Sequence, residues 1–168
     1  WANGSFFQLA PVFGIDKDLG TKKCIGKYVN PVTEGTFAME DTPNIGESMV
    51  ENPGVYCKSA NVSVLAANGK TPLITLNQFG AGKAMYLSSF RVSKESTRFL
   101  MRALLTLLGK EDKVRDYICD NLYTECAYYE EIDKLVVINN SGDTQKTVIK
   151  TAKGDVTVEL APFATKIL

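Results

Sequence analysis

The hydrophobic pattern is most regular in residues 71–90, where two short apolar runs flank a glycine-rich turn. Residues 73–76 form the first run and residues 83–87 the second. Gly80 and Gly82 lie between them, and we expect both to supply the positive φ that a tight turn needs. Because neither run alternates strictly between apolar and polar residues, the pattern predicts two paired strands in a sheet covered on both faces, as in an α/β layer.

A helical pattern follows this hairpin. Ser93 is a good N-cap, Glu95 lies in the first turn near the positive end of the helix dipole, and Gly109 stands where a helix would end. Apolar residues recur between them at spacings of three and four, which predicts one apolar stripe along an amphipathic helix. The stripe consists of Phe99, Leu100, Ala103, Leu104, Leu107 and Leu108.

The pattern is weaker before the hairpin. Residues 24–29, 55–56 and 62–66 are predicted strands, whereas the prolines and glycines of residues 40–54 predict irregular structure. A short helix capped by Ser5 is predicted at the start of the chain. Since such a helix needs a sheet to cover and no sheet precedes it, we expect the chain to be a fragment of a longer protein.

After Gly109 the pattern changes to short strands and turns. The charged residues 110–116 are predicted to be a linker. Five strands spaced by turn signals then predict a small antiparallel sheet or sandwich, which is short enough that it should dock on the preceding part. These strands are residues 121–129, 134–139, 147–151, 156–160 and 164–168.

Composition indicates a folded protein and excludes several functions. Of the 168 residues 45% are hydrophobic, which is enough for a packed core. Lys+Arg and Asp+Glu balance at 19 each, which gives no support for a nucleic-acid partner or an anionic membrane. No run approaches the ~20 apolar residues of a membrane span. The chain has no histidine, so it cannot by itself build a Ser-His-Asp triad, a Cys-His dyad or a His-ligated metal site.

The four cysteines are predicted to be free thiols in a reducing compartment, because none forms a CxxC pair. A disulfide between Cys119 and Cys126 stays open as an alternative. A four-cysteine zinc site with Cys24 and Cys57 also stays formally open, although the spacings do not resemble paired zinc knuckles.

Three further motifs have simpler structural interpretations. Residues 80–83, GAGK, resemble a phosphate loop, but a predicted strand follows instead of a helix, so we interpret them as a hairpin turn. The acidic cluster Glu130, Glu131 and Asp133 is interpreted as a solvated turn. Three tyrosines could stack on a sugar, but we expect them to pack in the protein. Three triplets fit the N-glycosylation pattern, which matters only in a secreted protein. The tyrosines are Tyr123, Tyr128 and Tyr129, and the triplets begin at Asn3, Asn61 and Asn139.

Four segments, taken in order and spacing, resemble the C-terminal third of the 1,3-β-galactosyl-N-acetylhexosamine phosphorylases, also called lacto-N-biose or galacto-N-biose phosphorylases. They are residues 4–20, 30–35, 72–90 with 96–105, and 134–149. The resemblance implies that residues 1–112 are the later part of a Rossmann-like α/β domain akin to class I glutamine amidotransferases. It implies that residues 113–168 are a small β domain, and that a (β/α)₈ barrel precedes both.

The resemblance also implies a reaction. Phosphate, as a co-substrate, would cleave β-1,3-galactosides of N-acetylhexosamines and give galactose 1-phosphate with inversion, the proton coming from a barrel carboxylate. No catalytic, cofactor-binding or metal-binding position of the family maps onto this sequence, so we expect no site residue and no cofactor here. The family further implies a cytoplasmic homo-oligomer, a dimer. The alternative is a self-contained oligomerisation or carbohydrate-binding module without catalysis.

Overall fold

The computed structural model describes residues 7–18, 27–42, 44–50 and 54–168, and it divides into two compact units, Trp1–Leu108 and Gly109–Leu168. In the first unit, two α-helices and five strands are described. The helices are α1 (Ala10–Phe13) and α2 (Lys94–Leu108). The strands are β1 (Ile15–Lys17), β2 (Val55–Cys57), β3 (Ser63–Asn68), β4 (Thr71–Phe79) and β5 (Gly82–Leu87).

The centre of the first unit is the three-stranded antiparallel sheet β3-β4-β5. The β4–β5 hairpin places Leu76 opposite Met85, as the two apolar runs predict. Both faces of this sheet are covered, which confirms the interpretation of its two-sided apolar strands. One face carries a core cluster that includes Ile74 and Phe99, and the other carries a cluster that includes Ile15 and Val64.

The prediction of a Rossmann-like α/β fold akin to glutamine amidotransferases is wrong. Every strand pair among the described residues is antiparallel, and the parallel contact found there is an isolated bridge between Val32 and Val64. Parallel strands need crossover connections of about a dozen residues or more. Here tight turns at Gly69 and Gly80 join β3 to β4 and β4 to β5, and such turns enforce antiparallel pairing.

Only one of the two turn glycines adopts the conformation expected of it. Gly80 has φ 57°, whereas Gly82 lies outside the positive-φ region because it is already the first residue of β5. The turn therefore needs the conformational freedom of glycine at Gly80 alone.

Helix α2 has the ends predicted for it, but its apolar stripe is divided. The Ser96 N–H donates to Ser93 Oγ at 3.1 Å, and Gly109 has φ 60°. Phe99 and Ala103 are buried against the sheet, whereas most of the other stripe residues lie on the exposed side. The buried face is completed by Ser96, Arg102 and Thr106, so polar contacts, besides apolar ones, fix the rotation of the helix.

The N-terminal predictions are tested only in part. The short helix is confirmed over Ala10–Phe13. Ser5, its expected cap, lies outside the described residues, as does Phe6. The predicted strand at residues 24–29 has its first three residues outside them, and Tyr28 forms an isolated bridge to Cys57. Residues 40–54 contain the 3₁₀ turn Ile45–Ser48 and no described strand, as expected of an irregular segment.

The second unit contains two antiparallel three-stranded sheets, in the orders β10-β9-β6 and β11-β8-β7. Cys119, Val137 and Ile149 are among the residues of its apolar core. The five predicted strands are confirmed, and the two-residue strand β6 was missed, as was a 3₁₀ turn within the expected linker. The strands are β6 (Ile118–Cys119), β7 (Thr124–Tyr129), β8 (Lys134–Asn139), β9 (Gln145–Lys150), β10 (Val156–Leu160) and β11 (Thr165–Ile167).

Candidate functional site

A buried arginine, Arg102, joins helix α2 to residues 37–41. The Arg102 guanidinium donates to Glu40 Oε2 at 3.1 Å, bonds to Asp41 Oδ2, and lies over the ring of Phe37 at 4.6 Å from the ring centre. Arg98 Nη1 lies 3.6 Å from Asp41 Oδ2. Two arginines therefore hold two carboxylates, which fixes the position of residues 40 and 41 beside the helix.

An open cleft of about 490 Å³ lies beside this network, at the N-terminal end of α2. Asp41, Asn44, Arg91 and Glu95 contribute polar side chains to it. The pKa of Glu95 is lowered by a hydrogen bond from its own backbone N–H and by another from the Ser93 hydroxyl. The positive end of the helix is thus already satisfied by a carboxylate of this chain, so the cleft suits a neutral polar molecule better than an anion.

A second cleft, of about 520 Å³, runs along β3 and β4. Its polar side chains include Asn44, Glu47 and Asn68, and its apolar floor includes Leu65 and Leu73. The first cleft contains two carboxylates, but Asp41 is bound by two arginines and the pKa of Glu95 is lowered, whereas the general acid of glycosyl transfer is a carboxyl with a raised pKa. The second cleft is lined by a single carboxylate, that of Glu47.

A buried asparagine organises the turns of the second unit. Asn139 is 1% exposed, and its Nδ2 donates to the carbonyls of Asp143 at 2.7 Å and Ala161 at 2.9 Å. Its Oδ1 accepts hydrogen bonds from the backbone N–H and the hydroxyl of Ser141, each at 2.9 Å. This side chain ties two loops to the end of β8, and its burial is incompatible with glycosylation. Of the other triplets, Asn61 is exposed and Asn3 lies outside the described residues.

The acidic cluster is a solvated turn, as predicted, with one of its members in a surface network. Glu130 and Glu131 are exposed in a 3₁₀ turn. The Tyr128 hydroxyl donates to Asp133 Oδ1 at 2.7 Å, and Lys153 Nζ lies 3.2 Å from Asp133. These bonds, that from Tyr128 first, lower the pKa of Asp133, and the same bond raises the pKa of Tyr128.

The tyrosines divide between packing and exposure. Tyr128 stacks on Tyr117 with ring centres 4.1 Å apart and packs against the core of the second unit, as predicted. Tyr123 and Tyr129 are about half exposed, at 43% and 54%, so the packing expected of them is not found.

Cys57, Cys119 and Cys126 form no disulfide, which agrees with the sequence-based expectation of thiols and excludes the alternative bridge between Cys119 and Cys126. Cys24 lies outside the described residues. Burial raises the pKa of the Cys57 thiol to about 11, so this thiol is unreactive at neutral pH. In the described part of the chain, no group of three or more potential ligands is placed to hold a metal ion.

Residues 80–83 form the tight turn predicted for them. Lys83 Nζ donates to the carbonyl of Thr106 at 3.2 Å, so this lysine contacts the last turn of α2. A phosphate-binding lysine would instead point to the N-terminus of a helix that follows the loop.

Two important residues escaped sequence-based prediction. Arg102 interrupts the apolar stretch of α2, and Asn139 ends an alternating strand at a position that faces the core. A charged or polar residue at an otherwise apolar position is a signal for a buried polar contact, but the pattern does not show which partner it meets.

No helix in the described ranges combines the length and apolarity that crossing a bilayer requires.

The fold and its clefts define a mainly β protein of two units, whose described residues form polar surfaces and structural ion pairs. Two family models match the chain: the lacto-N-biose phosphorylase central domain over residues 1–112, and the lacto-N-biose phosphorylase C-terminal domain over residues 117–168. The chain belongs to the lacto-N-biose phosphorylase family, and the resemblance found in its sequence is confirmed.

Curated relatives are similar over nearly the whole chain. A D-galactosyl-β-1→4-L-rhamnose phosphorylase from Lachnoclostridium phytofermentans is 33% identical over 167 residues, which is 98% of this chain and 22% of the relative. A 1,3-β-galactosyl-N-acetylhexosamine phosphorylase from Bifidobacterium longum is 28% identical and covers 90% of this chain and 24% of its own length. The chain thus spans between a fifth and a quarter of these relatives.

Proposed function

We propose that this chain is the non-catalytic supporting region of a galactoside phosphorylase. The observation that carries the proposal is the match to the central and C-terminal domains of the family, which together cover nearly all of the chain. The chemistry of the described residues supports it. Glu40 and Asp41, which adjoin the polar cleft, are held by arginines, and the whole sequence offers no histidine as a base.

In the complete protein, the proposed reaction is phosphorolysis of a β-galactoside to galactose 1-phosphate, with inversion at the anomeric carbon and phosphate as co-substrate. The favoured substrate is a β-1,3-galactosyl-N-acetylhexosamine, the substrate class in the name of the Bifidobacterium longum relative. The catalytic carboxylate would belong to the region of the relatives that this chain does not match. We further propose the domains 1–112 and 113–168, a homo-oligomer, and a cytoplasmic location.

The test is a phosphorolysis assay with three proteins. The purified chain, a complete relative, and that relative carrying these 168 residues in place of its own matched segment are each supplied with phosphate and lacto-N-biose, galacto-N-biose or galactosyl-β-1,4-rhamnose. We expect galactose 1-phosphate from the complete relative and from the chimera, and none from the chain alone. Turnover by the chain alone at a rate comparable with that of the complete relative would contradict the proposal.

The second candidate is a carbohydrate-binding module without catalysis, and the polar cleft beside α2 favours it. Asp41, Asn44 and Arg91 line this cleft and have the hydrogen-bonding groups that bind sugar hydroxyls. Calorimetric titration of the chain with galacto-N-biose distinguishes the candidates. Binding that Asn44→Ala abolishes would establish a sugar site in this cleft. No heat of binding at sugar concentrations up to about 10 mM, which is enough to detect a weak site, would rule out the binding-module candidate.

A further inference from the structure

Helix α2 is apolar on the side that faces away from the sheet. Four residues on this side are exposed, and we call them the apolar ridge: Leu100 at 37%, Met101 at 58%, Leu104 at 46% and Leu108 at 68%. From Phe99 to Leu108 the one charged residue is Arg102, which is buried on the opposite side. A helix at a protein surface normally carries polar residues on its outer face, and a helix that is apolar all round is normally buried.

The helix that carries the apolar ridge packs on a strand at the end of its sheet. Within the described residues, β5 is the last strand of the sheet β3-β4-β5 and contacts α2. An unpaired strand edge and an exposed apolar helix face are both features that proteins normally cover. The exposure of four large apolar side chains on one helix face therefore indicates a surface that a partner covers.

We propose that the apolar ridge is the docking surface for the region that the phosphorylase relatives carry ahead of their central domain. The relatives are four to five times longer than this chain, which matches their central and C-terminal domains. The ridge lacks charged residues, as do the cores of permanent interfaces, whereas transient partners are usually steered by charge. A partner in the same polypeptide needs no steering, because the linkage keeps it at high effective concentration.

This inference rests on the proposed role as a supporting region, and thiol labelling tests it in the chimera described above. Leu104→Cys and, as a second reporter, Leu100→Cys are introduced into the isolated chain and into the chimera. Asn61→Cys, in an exposed turn before β3 at the other edge of the sheet, is the matched control. The buried native Cys57 reports whether each protein is folded, and peptide mass spectrometry assigns the label to each position.

We expect both ridge cysteines to react freely in the isolated chain and at least tenfold more slowly in the chimera, while Asn61→Cys reacts equally in both. Equal labelling of the ridge cysteines in a chimera whose Cys57 stays protected would overturn the proposal. Protection of the ridge cysteines in the isolated chain would also overturn the proposal. If that protection depends on protein concentration, the occupant is a second copy of the chain. If it is the same at every concentration, the chain covers its own ridge. A second relative serves as carrier if Cys57 reacts in the first chimera. Turnover of the chimera is measured separately, so failure of the proposed reaction stays distinguishable from failure of docking.

Discussion

At the scale of single residues, polar side chains at apolar positions decide the local structure. Arg102 stands on the buried face of α2, where an apolar residue is expected, and holds Glu40 and Asp41 in place. Asn139 stands at such a position at the end of β8 and holds two loops. Both side chains have hydrogen-bond partners that offset the cost of burying them. Removal of Asn139 would leave the buried Ser141 N–H without its acceptor, whereas the partners of Arg102 are carboxylates that water can reach in part.

The contribution of Arg102 can be measured by substitution with methionine, which preserves much of its volume. We expect Arg102→Met to lower the free energy of unfolding by about 1–3 kcal/mol, because Asp41 loses its main partner while the half-exposed Glu40 can be solvated. Arg115→Met is the control, since Arg115 and its partner Asp112 are 64% and 97% exposed, and it should change the free energy by less than about 0.5 kcal/mol. Equal effects in urea denaturation would show that burial of the ion pair is irrelevant.

The buried thiol of Cys57 makes stability depend on pH in the alkaline range. Its pKa rises from 9.0 to about 11 on folding, so the folded state holds this proton more tightly. The associated stability is fully present below pH 9 and is lost as the pH rises toward 11, by an amount on the order of 2 kcal/mol. We expect the free energy of unfolding to fall more steeply between pH 9 and pH 11 in the native chain than in Cys57→Ala. Parallel curves for the two proteins would contradict this assignment.

At the scale of elements, turns and element ends determine which segments meet. Gly14 ends α1 with φ 67°, and the following residues form β1, which pairs with β2. A Cβ at Gly14 would lie 2.5 Å from Val62 Cγ2 and 2.8 Å from Asn77 Cγ. Asn77 in turn donates to the Val12 carbonyl at 2.8 Å, so β4 holds the end of the helix in place.

Two glycines of nearly equal φ separate backbone strain from steric overlap. Gly35 has φ 69° with no atom within 4 Å of an added Cβ, whereas Gly14 has both the positive φ and the close neighbours. We expect Gly35→Ala to cost about 1 kcal/mol, and Gly14→Ala to cost about 1–3 kcal/mol more because the side chains of Val62 and Asn77 must move. Thermal or urea unfolding measures both. A Gly14→Ala variant as stable as Gly35→Ala would show that the helix end shifts without cost.

At the scale of the whole molecule, the chain consists of two units, each with its own apolar core. Each unit contains a buried cysteine, Cys57 in the cluster of Ile15 and Val64 and Cys119 in the core of the second unit, and these thiols report local opening of their own unit. The apolar ridge is also a whole-molecule feature, because its proposed occupant is the region that the relatives carry ahead of their central domain.

Independent opening of the two units is tested by weakening one of them. We expect Asn139→Ala, which removes the acceptor of the Ser141 backbone N–H and one donor to each of two loop carbonyls, to accelerate labelling of Cys119 at least tenfold and to leave labelling of Cys57 unchanged. The neighbouring and exposed Asn140 supplies the control Asn140→Ala, which should alter neither rate. Equal acceleration of both thiols would show that the units open as one.

The sequence alone determined the local elements and the family. Apolar runs and turn residues predicted the β4–β5 hairpin, helix α2 with its ends, and the strands of the second unit, because these features depend on neighbours along the chain. The order of four segments indicated the phosphorylase family before any fold was known. The polar cleft was not predicted, since Asp41 is far in sequence from the segment that holds Arg91 and Glu95, and the two meet only in the folded unit.

Only the tertiary structure decided how the elements are arranged. The Rossmann-like prediction failed because buried strands of parallel and antiparallel sheets look alike in sequence. Only the hydrogen bonds between the strands show that the sheets are antiparallel. The stripe of α2 gave no indication that it would divide, because periodicity measures apolarity around the helix axis but not which side meets the sheet. In the folded unit Phe99 and Ala103 meet the sheet, Arg102 binds Glu40 and Asp41 from some 60 residues away in sequence, and the apolar ridge stays exposed.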